Sequence, residues 1–119
     1  MIYTTAINNE LRRIYEEASG YIGFPVSYCS QVSKRLVGLG FDIAKGWFLL
    51  DYPMFDALYS VERHTWAVDA EGTIIDLTAH QFNSGLINPI KPGVLIVRHE
   101  SELHARYLPD DIDAGVYAT

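Results

Sequence analysis

The chain has 119 residues, 49% of them apolar and 20% charged, which fits one folded domain spanning 1–119 with a real core and too little length for two. A net charge of −6, with no basic run beyond Arg12-Arg13 or Lys34-Arg35, argues against nucleic-acid or anionic-membrane partners. One cysteine excludes an internal disulfide framework, and apolar runs of about four residues fall far short of the ~20 that cross a bilayer.

Polar residues punctuate Met1 to Arg13, so no signal-peptide pattern is expected there. A reducing, cytoplasmic setting follows, although a protein delivered elsewhere as an effector after synthesis would read the same way. Leu11, Ile14, Tyr15 and Ala18 recur at helical spacing and predict a first helix over Thr4 to Ser19, closed by Gly20 as a left-handed cap. Gly20 to Pro25 reads as a loop. A second helix is expected from Ser27, a plausible N-cap, to Gly38, with Val32, Leu36 and Leu39 as its apolar stripe and Lys34 and Arg35 facing water.

Phe41 to Leu50 reads as the first strand, with Gly46 at a bulge. Asp51 to Glu62 is a connection rich in aromatics (Tyr52, Phe55, Tyr59) that suits a helical turn or a wall over a cleft. Two further strands follow, Val61 to Asp69 and Thr73 to Thr78, separated by Ala70-Glu71-Gly72. A two-residue loop would need positive φ at Ala70 and Glu71, which neither favours. Asp69-Ala70-Glu71-Gly72 instead suits a type I turn closed by a left-handed glycine.

That turn fixes the register. Asp69 pairs with Thr73, so His64 faces Thr78 and Trp66 faces Asp76, all on one side of the sheet. His64 and Asp76 become diagonal neighbours, roughly 7–8 Å apart at Cα or somewhat less. A slip of one residue would send Asp76 to the other face. Beyond the hairpin, Ala79 to Phe82 leaves the sheet, Asn83 to Gly93 is a turn-rich surface loop, and Val94 to His99 is a fourth strand. Glu100 to Leu108 is expected to be a short helix with Glu100, Glu102 and His104 on a solvated face. The acidic segment Asp110 to Asp113 is expected to fray. The fold class is α+β, N-terminal helices packed on a small antiparallel sheet.

Cys29 falls in the first turn of the second helix, where unpaired N–H groups and the helix dipole favour a thiolate. Free cysteine is also a common space-filler of cores. Its company separates the two readings: a histidine on one strand and an aspartate on the next give the nucleophile, base and orienter of thiol acyl transfer. The Cys29 backbone N–H is placed to donate to an oxyanion.

Tyr-Cys-Ser at a helix start, His-Thr-Trp in a strand and Gly-Thr-Ile-Ile-Asp-Leu-Thr-Ala-His-Gln-Phe after the turn resemble the transglutaminase-like core of the papain-like cysteine peptidase superfamily. The hairpin is similar to small bacterial and phage proteins with the same run. The resemblance covers Ser27 to Phe82 and implies Cys29, His64 and Asp76 as catalytic positions. Papain-like peptidases carry an oxyanion-hole glutamine six residues before the cysteine, a position held here by Gly23. That leaves Tyr21, Tyr28 and Gln81 as candidates for the second oxyanion donor, with Trp66 beside His64 as core or as a shield from water.

His80, His99 and His104 with Cys29 or Glu102 match no compact metal spacing, so neither metal nor cofactor is expected. The function expected is amide hydrolysis or acyl transfer through a thioester, as a protease, glutamine deamidase or transglutaminase, on a protein or peptide substrate. The alternative is a papain-like fold without turnover that serves as a protein-binding or regulatory module. The oligomeric state is open.

Overall fold

The computed structural model describes residues 2–54 and 60–110. Two helices lie on one face of a five-stranded antiparallel sheet of order β4-β3-β2-β1-β5. Helix α1 spans Thr5–Ala18, capped by the Thr4 hydroxyl, which accepts from the Ile7 N–H at 3.2 Å. Its buried stripe is Leu11, Ile14 and Ala18, and Arg13 ties Glu10 and Glu17 on the wet side. Ser19 rather than Gly20 caps the end, in the right-handed region, and the chain turns away through 3-10-type bonds.

Helix α2 covers Cys29–Leu36 and runs into a short 3-10 turn, Val37–Leu39, stopped by Gly40 at φ +96°. Its start differs from the expectation. Ser27 holds φ +70° and caps nothing; Tyr28 takes the N-cap place with no side-chain bond. Two interactions set that start. The Tyr28 hydroxyl donates to the Ile22 carbonyl at 2.7 Å, and its ring packs on Tyr21 and Phe24, so the aromatic loop places the helix. Arg35 does not simply face water: it pairs with Glu17 at 3.0 Å and donates to the Tyr21 hydroxyl at 3.3 Å.

Strand β1 (Asp42–Leu49) pairs along its whole length with β2 (Val61–Val68). Gly46 is not a bulge; it lies opposite His64 in an unbroken ladder. Glycine stands there because β5 crosses closely: a Cβ would sit 2.0 Å from the Leu108 carbonyl oxygen. The hairpin has the expected register. Ala67 pairs with Ile75 and Val68 with Ile74, Asp69 donates to the Thr73 carbonyl at 2.9 Å, and Gly72 takes φ +83°. Strand β3 is only Ile74–Asp76, shorter than expected.

After β3 a 3-10 helix runs from Ala79–Gly85, so the segment leaving the sheet is ordered, and Asn83 clamps Ile90 through both its backbone N–H and carbonyl. That clamp buries Leu86 and Ile90 in a stretch expected to lie on the surface. Strand β4 is Leu95–Val97, and the expected helix over Glu100 to Leu108 is a 3-10 helix (Glu102–Arg106) followed by strand β5 (Tyr107–Pro109), which pairs with β1. His104 turns inward rather than to solvent: its Nε2–H donates to the Gly72 carbonyl at 2.9 Å, beside His99, which donates to the Glu71 carbonyl. Asp110 is tied down by Arg63 at 2.8 Å, while Asp111 to Asp113, like Phe55 and Tyr59, lie outside the described residues.

The sheet therefore separates two cores. Leu11, Ile14, Val32, Leu36, Phe41, Ala67 and Ile75 fill the helix side, and Phe48, Trp66, Ile74, Phe82, Val97 and Tyr107 fill the other. Among the described residues no helix is long and apolar enough to cross a membrane.

Candidate functional site

The site forms where β3 stops. Lys45 gives its carbonyl to the Asp110 N–H on the β5 side, at 2.9 Å. The Lys45–Thr65 pair is therefore a non-hydrogen-bonded one, and the N–H and C=O of Thr65 point the other way, toward β3. The β2–β3 ladder ends at Ala67–Ile75, two pairs short of the Thr65–Leu77 position that would use them. Helix α2 takes the place of the missing strand. The Ser33 hydroxyl donates to the Thr65 carbonyl at 3.3 Å, and the Thr65 N–H lies near enough to the Cys29 sulfur to favour its thiolate. The Ser33 bond ties α2 to β2 at a carbonyl that would otherwise be orphaned, one turn from Cys29.

Residue 64 sits on the opposite side of β2 from the main helix contacts, packed among Phe48, Phe82, Trp66 and Tyr107. Its Nε2–H donates to Asp76 Oδ2 at 2.6 Å, with both side chains buried. Nδ1 is the ring nitrogen left over. It is buried and has no hydrogen-bond partner of ordinary geometry among the described residues, yet the Cys29 thiol is coupled to this ring both by hydrogen bonding and by charge. The sulfur thus approaches the imidazole without a well-aligned bond, an arrangement common in resting sites.

Asp76 is held by four donors. Oδ2 accepts from His64 and from the Tyr107 hydroxyl at 2.7 Å, and Oδ1 accepts from the Thr78 N–H at 2.9 Å and the Thr78 hydroxyl at 3.2 Å. Thr78, expected opposite His64, thus grips the acid instead. Burial drives the Asp76 carboxyl toward its neutral form, but His64 and these donors outweigh burial and hold it below the usual carboxylate range. Burial likewise opposes charge on His64, and Asp76 followed by Cys29 overcomes it, raising the imidazole to about 9. For Cys29, half-buried, burial pushes the thiol up; bonding and charge from His64 and the Thr65 N–H bring it below the ordinary value. All three shifts favour thiolate, imidazolium and carboxylate together.

Cys29 opens onto a cleft of about 210 Å³ lined by Val26, Ser27, Met54, Glu62, Arg63, Gln81 and Phe82. Of the candidates for a second oxyanion donor, Gln81 alone lines this cleft, its amide donating to the Thr78 hydroxyl at 3.3 Å. Tyr28 spends its hydroxyl on the Ile22 carbonyl, and Tyr21 receives Arg35. Trp66 is buried, with its ring 5.7 Å from His64, on the side away from the cleft. Among the described residues no group of three or more His, Cys, Asp or Glu side chains stands close enough to hold a metal ion.

Tyr107 was not legible as a site residue. Its bond to Asp76 spans 31 residues, and the three-residue strand carrying it shows no alternation to betray it. Comparison of the chain with protein-family models, curated proteins and solved structures returned no match.

Proposed function

We propose that the protein is a cysteine-dependent amide hydrolase or acyl transferase, with Cys29 as nucleophile, His64 as acid and base, and Asp76 as the orienting acid. The observation that carries this reading is the company of His64: a buried carboxylate at 2.6 Å from Nε2, with the Cys29 thiol near enough to the ring to raise its proton affinity. Nothing about core packing alone requires a cysteine at a helix start, half-exposed to a cleft, with a depressed pKa. The same layout of helix-borne cysteine and hairpin-borne histidine and aspartate supports a transglutaminase-like, papain-like core.

In this scheme the thiolate attacks an amide carbonyl. The C–S bond forms, and the carbonyl π pair moves to oxygen, which the Cys29 N–H and the Gln81 amide stabilise. The oxyanion collapses, the C–N bond breaks, and the leaving amine takes the Nδ1 proton of His64. A thioester remains on Cys29. Neutral His64 then removes a proton from water or an amine, which attacks the thioester and expels the thiolate. Asp76 keeps the Nε2 proton in place throughout, so that Nδ1 is the nitrogen that exchanges protons.

The test is the intact mass of the chain after incubation with p-nitrophenyl acetate and with a glutamine-containing peptide. An acyl adduct on Cys29, absent from Cys29→Ala and reduced in His64→Ala, is expected. Iodoacetamide should label Cys29 near neutral pH in the folded protein and more slowly in His64→Ala. A thiol that reacts only after unfolding would remove the basis of the proposal.

A further inference from the structure

The scheme above uses Cys29, His64 and Asp76 and leaves one buried polar group idle. The Tyr107 hydroxyl donates to Asp76 Oδ2 at 2.7 Å, on the very oxygen that accepts the His64 Nε2–H at 2.6 Å. The arrangement is built, not incidental. Pairing of Phe48 with Tyr107 places β5 beside β1, the absence of a side chain at Gly46 lets β5 approach, and edge contacts with Phe48 and Trp66, both at 5.1 Å between ring centres, fix the phenol ring.

We propose that Tyr107 is a positioning residue that sets the proton affinity of His64 through Asp76, keeping the imidazole basic enough to accept a proton and weak enough to return it. This inference rests on the reading of Cys29, His64 and Asp76 given above. One carboxylate oxygen serves two donors. The phenol bond is strongest when the ring is neutral and the full carboxylate charge is available to it. It weakens when imidazolium draws on the same oxygen. Tyr107 therefore favours the neutral ring and offsets part of the pull that Asp76 exerts toward the charged one.

Among the described residues the groups facing this pair are few. Cys29 faces the ring from α2, Asp76 from β3 and Tyr107 from β5, while His80 on the 3-10 helix is coupled to the Asp76 charge. Glu62 and Arg63 on β2 itself line the cleft on the thiol side, Arg63 being paired with Asp110.

The variant is Tyr107→Phe, which removes the hydroxyl and keeps the ring. Two readouts are followed. The first is the titration of the His64 ring by NMR in a Cys29→Ser background, where turnover plays no part. Its midpoint should rise by about half to one pH unit in Tyr107→Phe. The second is release of an acetyl group from Cys29, which needs neutral His64; its rising pH limb should move up by the same amount, slowing release near pH 7 roughly three- to tenfold. If the phenylalanine variant does not fold, a fluorinated tyrosine placed at position 107 alone, a better donor, should move the His64 midpoint down. An unmoved midpoint in a folded variant, or a shift in the opposite sense, overturns the proposal and leaves Tyr107 as packing. A wild-type chain that never takes an acetyl group would instead sink the enzymatic reading, while the NMR midpoint still decides the tyrosine's role.

Discussion

Replacing Asp76 by asparagine tests the site at its most constrained point. Four donors converge on the carboxylate, two on each oxygen. Asparagine keeps one acceptor oxygen and turns the other into an NH2 donor. The Thr78 N–H cannot become an acceptor, so the amide oxygen must stay on that side. The NH2 then faces His64 Nε2 and the Tyr107 hydroxyl, both of which can accept. The imidazole must shift its proton to Nδ1, toward the sulfur, where it can no longer take the thiol proton. The magnitude follows from the imidazole's rise to about 9 in the native site. Without the carboxylate, burial opposes the charged ring with only the Cys29 thiol left to favour it, so the midpoint falls well below about 9, with a loss of up to roughly 3 kcal/mol in imidazolium stabilisation. A thiol back at ~8.5 is only about 3% ionised at pH 7, so alkylation there should slow roughly thirtyfold relative to a fully ionised thiolate. Rearranging the buried bonds should also cost about 1–3 kcal/mol of stability. The assay is the pH profile of iodoacetamide labelling by intact mass, with urea unfolding and near-UV circular dichroism to establish the fold. A folded Asp76→Asn chain that labels with the wild-type profile would refute the argument that this acid governs the ring and, through it, the sulfur.

Gln81→Ala separates oxyanion stabilisation from thiol activation: acylation by a glutamine peptide should fall roughly 10- to 100-fold, while iodoacetamide alkylation, which develops no oxyanion, should be nearly unchanged; equal losses in both would remove Gln81 from the oxyanion role. Gly46→Ala would put a Cβ 2.0 Å from the Leu108 carbonyl oxygen and 2.7 Å from the Pro109 Cα, so it should lower stability by about 1–3 kcal/mol in urea and disturb Tyr107 with β5. In Cys29→Ser the thiol drops out of the proton count and the raised His64 pKa governs stability near neutrality. The folded ring holds its proton where the unfolded one, at ~6.5, has lost it. Stability should therefore be complete below that value and decline by up to about 1.4 kcal/mol per pH unit as pH rises toward the folded pKa. That upper end lies somewhat below about 9, because Cys29 contributes to the wild-type shift. Urea midpoints that stay flat or rise over this range would contradict the assignment of the proton to His64.

What could be read from the residues, and what could not, divides along sequence distance. The hairpin was legible because its geometry is local: Asp69-Ala70-Glu71-Gly72 admits one comfortable loop, Gly72 takes φ +83° to close it, and side-chain alternation carries that register to His64 and Asp76. The helix placing Cys29 was legible in existence and less so in detail. Ser27 has the chemistry of a cap, but the aromatic contacts of Tyr28 with Tyr21 and Phe24 decide where the helix begins. Gly46 illustrates a two-way signal. A glycine within a strand marks either a bulge or a close approach, and only the presence of β5 selects the second. Strand β5 itself could not be seen, since three residues ending in proline carry no period, and its pairing with β1 spans some 60 residues of chain.

The same division explains why the site sits where it does. A hairpin alone brings histidine and aspartate together but leaves the imidazole's other nitrogen unpartnered. A helix alone exposes a cysteine to N–H groups with no base in reach. What joins them is the early end of the β2–β3 ladder, which leaves the N–H and C=O of Thr65 without strand partners; Ser33 takes the carbonyl and seats α2 there, with the Cys29 sulfur near the N–H and the ring. A β3 that stayed paired through Leu77, two pairs further on, would satisfy Thr65 without the helix. The shortness of that strand, which the β-rich run Thr73 to Thr78 conceals, is thus the feature that converts two ordinary supersecondary elements into one site. Thr78, just past the end of β3, donates twice to Asp76, so the segment that leaves the sheet also holds the acid.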